Sequence, residues 1–151
     1  MACIRNIDEN VEVKIILLSN IEKGSSDFET WIGARLEVDS TTLKLYGDES
    51  VNMTLNLFEI KQFEEKLHKL IECADKRNGS RFEFTNLESN FELRMELIAE
   101  DEAIEIELWI NTANRTSGSI YGYDEGLRFV ASIDEVKRFN DSFFKELDNV
   151  D

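Results

Sequence analysis

The chain has no proline, two cysteines, one histidine, and only 17 lysines and arginines against 32 aspartates and glutamates in 151 residues. Each shortage excludes something. A net charge of −15 repels nucleic-acid phosphates and anionic lipid, so neither is an expected partner, whereas a basic protein is. Cys3 and Cys73 stand alone, one in an expected tail and one in an expected helix. They fit reduced thiols of the cytoplasm rather than a disulfide framework or a zinc site. The aliphatic run Ile15-Ile16-Leu17-Leu18 falls far short of the ~20 residues a membrane helix needs. Met1 to Val11 lacks the basic, apolar and small-residue zones of a secretory signal. Without proline, every backbone N–H is available to a sheet ladder.

What is present points to a folded chain. Hydrophobic residues make up 42% and aromatics 10%, far more than in disordered acidic chains. A chain of this length is expected to form one domain, here residues 1–151, that buries roughly 70% of the surface its unfolded form exposes.

Strand-like alternation dominates. Odd positions are apolar in Val11-Glu12-Val13-Lys14-Ile15-Ile16-Leu17. Phe28, Ile32, Ala34, Leu36 and Val38 are expected to face inward from the next strand, with Glu29, Trp31, Arg35 and Glu37 facing out. Short strands follow at Thr42–Tyr46 and Val51–Leu57, joined through the turn signal Gly47-Asp48-Glu49. The period then changes. Ile60, Phe63, Leu67, Leu70, Ile71 and Ala74 form one stripe of a helix from about Phe58 to Asp75. Strands resume at Arg81–Thr85, Phe91–Ile98, Ala103–Ile110, near Ser119–Tyr121, and at Leu127–Ile133. A second helix, from about Asp134 to Leu147, buries Val136, Phe139, Phe143 and Leu147, with Asp134 as N-cap or first-turn acid.

The helices resemble each other. Glu59-Ile60-Lys61-Gln62-Phe63 matches Glu135-Val136-Lys137-Arg138-Phe139 at a spacing of 76 residues (59 and 135). The expected architecture is α+β: mainly antiparallel β-sheet with two amphipathic helices, internally duplicated as strands then helix over 11–77 and 80–148.

Catalytic and metal motifs are weak. His68, flanked on its helix face by Glu64 and Glu72, fits a solvated surface histidine, with no nucleophile placed beside it by spacing. With 32 acids, some carboxylate pair will match glycosidase spacing by chance. Glu100-Asp101-Glu102 lacks the spaced ligands of a calcium loop and fits a charged turn. Gly118, Gly122 and Gly126 do not form a phosphate cradle. No enzyme activity, cofactor or metal is expected.

The acids are unevenly distributed. Glu88, Glu92, Glu96, Glu100, Asp101, Glu102, Glu105, Glu107, Asp124 and Glu125 are accompanied between residues 88 and 125 only by Arg94 and Arg115, a net of −8. Alternation places Glu92, Arg94 and Glu96 on one face of a strand, and Glu105, Glu107 and Trp109 on one face of the next. Paired as a hairpin, these strands crowd like charges, which a protein can use as a field for a basic partner or simply for solubility. Trp31 and Trp109 are placed to be either interface anchors or parts of a small second core, and Tyr121 and Tyr123 are expected to be exposed. The candidate contact surface is therefore Glu92, Glu96, Glu100, Asp101, Glu102, Glu105, Glu107, Trp109, Tyr121, Tyr123, Asp124 and Glu125.

The order of these features resembles the WapI-type immunity proteins of bacterial polymorphic, contact-dependent toxin systems. It runs from an apolar strand and a Trp-bearing strand (Glu29-Thr30-Trp31-Ile32) to a helix with Glu59-Ile60, Phe63, Leu67 and Leu70. More strands follow, then a final helix with Val136, Phe139, Phe143 and Leu147. The resemblance spans Val11 to Leu147 and carries no catalytic motif. It implies a cytoplasmic, non-enzymatic protein that binds and neutralises the C-terminal domain of a toxin, often a nuclease. The alternative is an acidic structural or regulatory protein-binding module unrelated to toxins.

Overall fold

The structure, a computed structural model, describes residues 2–40, 49–98, 102–111 and 124–150. It is α+β, with two antiparallel four-stranded sheets and two helices. Sheet A contains β1 (Ala2–Arg5), β2 (Val11–Glu22), β3 (Trp31–Ser40) and β4 (Glu49–Asn56) in that order, and helix α1 (Leu57–Asp75) follows it. Sheet B contains β5 (Arg81–Thr85), β6 (Phe91–Ile98), β7 (Ala103–Asn111) and β8 (Asp124–Ser132), again in order, and helix α2 (Ile133–Leu147) follows it.

The N-terminus differs from expectation. Ala2–Arg5 is an edge strand rather than a tail: Ala2 pairs with Ile15 and Ile4 with Val13, and both Ala2 and Ile4 are buried. Four residues with two apolar side chains are too short for periodicity to register; burial against β2 is what makes them a strand. Phe28 also differs. It lies before β3, in a turn where Glu29 N donates to Ser26 O (3.1 Å), and its side chain is exposed. The segments expected as strands at Thr42–Tyr46 and Ser119–Tyr121 lie outside the described residues.

Both helices start with side-chain caps. Asn56 Oδ1 accepts from Glu59 N (2.8 Å) while Glu59 Oε2 accepts from Asn56 N (2.9 Å), a reciprocal capping box. In α2 the cap is Ser132, whose Oγ accepts from Glu135 N (3.2 Å), and Asp134 is a first-turn acid. The caps stand 76 residues apart (56 and 132), the spacing of the matching helix sequences.

The first turns of the two sheets also correspond, 80 residues apart. Asn6 Oδ1 accepts from Asn10 N and Val11 N, both at 2.9 Å. Asn86 Oδ1 accepts from Asn90 N (2.8 Å) and Phe91 N (3.3 Å). Glu9 and Ser89, at matching places, have φ of 54° and 52°.

Each helix reaches across to the other half of the chain. Phe63 of α1 packs edge-on against Phe82 and Phe84 of β5, with ring centroids 5.2 and 5.0 Å away, and meets Phe143 of α2 at 5.2 Å. Helix α2 packs on β1 and β2. Buried residues of both sheets and both helices form one continuous core. Backbone bonds reinforce this exchange: Ile7 N donates to Val130 O of β8 (2.9 Å), and Arg5 N donates to Glu135 Oε1 of α2 (3.1 Å).

Candidate protein-binding surfaces

With one face of sheet B packed on the core, the other carries the alternate residues of each strand. Register sets them in rows. Arg81, Glu96, Glu105 and Val130 form one, Glu83, Arg94, Glu107 and Arg128 the next, and Thr85, Glu92, Trp109 and Gly126 the third. The predicted residues Glu92, Glu96, Glu105, Glu107 and Trp109 therefore do share a face.

That face is less negative than its strands suggest taken alone. Glu96 and Glu105 stand directly opposite each other, the expected like-charge contact. Elsewhere arginines intervene. Arg94 pairs with Glu92 and reaches Glu107 at 3.6 Å. Arg128 pairs with Glu107 and approaches Glu105 at 3.9 Å, while Arg81 bridges Glu83 at 2.7 Å. Over the three rows, five glutamates face three arginines. Two of those arginines, Arg81 and Arg128, come from neighbouring strands outside the acidic segment. A count along the chain misses them; cross-strand register reveals them.

Trp109 is anchored within this lattice. Its indole Nε1–H donates to Glu107 Oε2 at 3.2 Å. The indole and Arg128 together hold the Glu107 carboxyl below the usual glutamate range. The ring lies over Gly126, its cross-strand neighbour, where a Cβ would overlap the ring atoms. Gly126 lies within β8.

The other predicted residues are dispersed. Glu102 sits before β7 with φ of 50° and pairs with exposed Arg77. Asp124 lies opposite Asn111 at the far end of the Trp109 face, whereas Glu125 lies opposite Ile110 and so belongs to the other face. Glu100, Asp101, Tyr121 and Tyr123 lie outside the described residues. Trp31 is half-buried at the start of β3.

Two open clefts flank α2. One is lined by Asp75, Arg77, Glu102, Asp134 and Lys137, where Lys137 Nζ meets Asp75 at 2.7 Å. The other is lined by Cys3, Arg5, Asn6, Glu135 and Arg138. Its arginines are engaged, Arg5 with Glu12 at 2.7 Å and Arg138 with Glu135. Burial and the neighbouring Glu12 carboxylate push the Cys3 thiol up, the reverse of what a nucleophilic thiolate requires. His68 is exposed, 3.9 Å from Glu64, and stacks on Phe144.

Most of the charges named in the two clefts sit in ion pairs: Arg77 with Glu102, Lys137 with Asp75, Arg5 with Glu12 and Arg138 with Glu135. A model of the WapI-like immunity protein family matches residues 3–151. The chain belongs to this family. The match runs from within β1 to beyond α2, so the WapI-like family covers both sheets and both helices. No curated protein matches the chain in sequence. Among the described residues, no helix is long and apolar enough to cross a membrane.

Proposed function

We propose that this protein confers immunity by binding a basic toxin domain, in the cytoplasm and without catalysing a reaction. Membership in the WapI-like immunity family over residues 3–151 carries this reading. The net charge of −15 supports a basic partner, and a nuclease fits because it needs cationic groups to hold phosphates. An acidic inhibitor competes for those groups and is drawn to them at long range. The Glu92–Glu107 face of sheet B contributes to that attraction. Its Glu92, Glu105 and Glu107 carboxylates are pre-positioned by arginines, so they can exchange partners across an interface without first being ordered.

The test is direct. The purified protein is mixed with the purified toxin domain encoded by the adjacent gene, and toxin activity is followed as the ratio rises. Inhibition is expected to be complete near one equivalent, with an association rate that falls steeply as salt is added. Toxin activity that survives a molar excess contradicts the proposal.

A further inference from the structure

Five large apolar side chains are strongly exposed among the described residues, and three of them fall between residues 18 and 28: Leu18 at 49%, Ile21 at 60% and Phe28 at 57%. The fold gathers them at one end of sheet A, where β2 finishes, β3 begins and β4 runs into α1. Register shifts between Leu17 and Glu22 break the regular ladder there. Ile21 lies over Gly33, its Cδ1 3.4 Å from where a Cβ would stand. Phe28 stacks on Phe58, with ring centroids 4.1 Å apart.

This corner is held in place. Phe58 N donates to Asp27 O (3.3 Å) and Leu57 N to Thr30 O (2.9 Å), which ties the connecting loop to the start of α1. Ser25 donates to the Glu29 carboxylate through both N (3.1 Å) and Oγ (2.5 Å). Exposed apolar side chains gathered at one end of a sheet and held in order there are a mark of a binding surface. Its rim carries Glu22, Asp27 and Glu29 against Lys23 and Lys61, and Lys61 is already committed to Asp27 at 2.6 Å. The complementary surface is an apolar projection ringed by basic side chains. A second copy of this chain is a poor occupant, because it would bring the same acidic rim and another −15 of charge.

We propose that this corner, formed by Leu18, Ile21 and Phe28 on Phe58, is the anchor for the toxin domain, and that the sheet B face steers the encounter without carrying most of the binding. This rests on the immunity reading above, which is tested first: a wild-type protein that does not bind the toxin domain overturns that reading and this one with it. With wild-type binding established, the pair Ile21→Ser and Phe28→Ser is expected to raise the dissociation rate at least ~30-fold while leaving association and its salt dependence nearly intact. The pair Glu96→Gln and Glu105→Gln is expected to slow association at low salt and leave dissociation nearly unchanged. A corner variant that stays folded and dissociates within about threefold of wild type overturns the anchor. Should the corner variant fail to fold, amide exchange on the wild-type complex decides: protection of residues 18–31 supports the anchor, and unchanged exchange there overturns it. Corner substitutions that dissolve a wild-type dimer while toxin binding is unaltered assign the patch to a second copy and also overturn it.

Discussion

The Glu59 carboxylate joins the two halves of the chain: Oε2 accepts the N–H of Asn56 at 2.9 Å, closing the start of α1, and Oε1 accepts the N–H of Leu87 at 2.5 Å from the first turn of sheet B. Glu135, at the matching place in α2, accepts the N–H of Arg5 at the end of β1 at 3.1 Å. The glutamate at the third position of each helix thus fastens a strand end or turn of the other half. Burial of both glutamates strengthens these bonds and raises the cost of losing them.

Replacing Glu59 tests this fastening. Glu59→Ala leaves two amides without their acceptor, each costing about 1–3 kcal/mol when buried. A stability loss of roughly 3 kcal/mol is expected in urea unfolding, with the slope unchanged. Glu59→Gln keeps one oxygen acceptor and is expected to lose less.

The Asn6 and Asn86 turns are expected to respond alike. Each asparagine oxygen accepts two backbone amides, so Asn6→Ala and Asn86→Ala should each cost about 1–3 kcal/mol. Glu9→Gly and Ser89→Gly remove a side chain from left-handed backbone and should each stabilise by roughly 0.5–1 kcal/mol. Opposite signs for the two members of either pair would contradict the equivalence, and with it the proposal that the chain is an internal duplication.

Phe63 touches aromatic rings of β5 and α2. Phe63→Ala should cost about 3–5 kcal/mol. Because one core spans both sheets, far-UV circular dichroism and tryptophan fluorescence (Trp31 in sheet A, Trp109 in sheet B) should report a single coincident transition. Separate transitions would show that the sheets unfold independently.

Trp109, Glu107 and Gly126 form a pH-dependent unit. The folded Glu107 carboxyl holds its proton more weakly than an unfolded glutamate does. Its contribution to stability is therefore complete above the unfolded carboxyl range, about pH 4.3, and is lost as pH falls through the lower folded value. Trp109→Phe removes the indole donor. Its stability deficit relative to wild type should be largest at neutral pH and shrink in acid. Gly126→Ala pushes the ring off β8 and should shift Trp109 emission to the red.

Much of the fold was legible along the chain. The alternation of Val11, Val13, Ile15 and Leu17, and the stripe of Ile60, Phe63, Leu67 and Leu70, both correspond to buried faces, because side-chain direction in strands and helices follows a local period. Of the two places open to Asp134, N-cap or first-turn acid, the structure takes the second. Ser132 rather than Asp134 holds the N-terminus, since the cap depends on where β8 stops. Phe28 continues the Ile32–Ala34–Leu36 alternation and so fits a core position; the Ser26–Thr30 turn breaks that continuity and leaves it exposed. The acids of residues 88–107 are legible as a stretch, but not the pairing of Glu105 and Glu107 with Arg128 of the next strand.

The acidic balance, the two helices, the apolar faces of strands and helices and the repeated helix motif are all written along the chain, because each depends on composition or on residues a few positions apart. Distant contacts, by contrast, make Ala2–Arg5 a strand, pack each helix against residues of the other sheet, thread arginines through the acidic face, and leave Leu18, Ile21 and Phe28 exposed near one end of sheet A. These depend on which distant segments meet. That is settled by the burial of a shared core, and local periodicity carries no record of it.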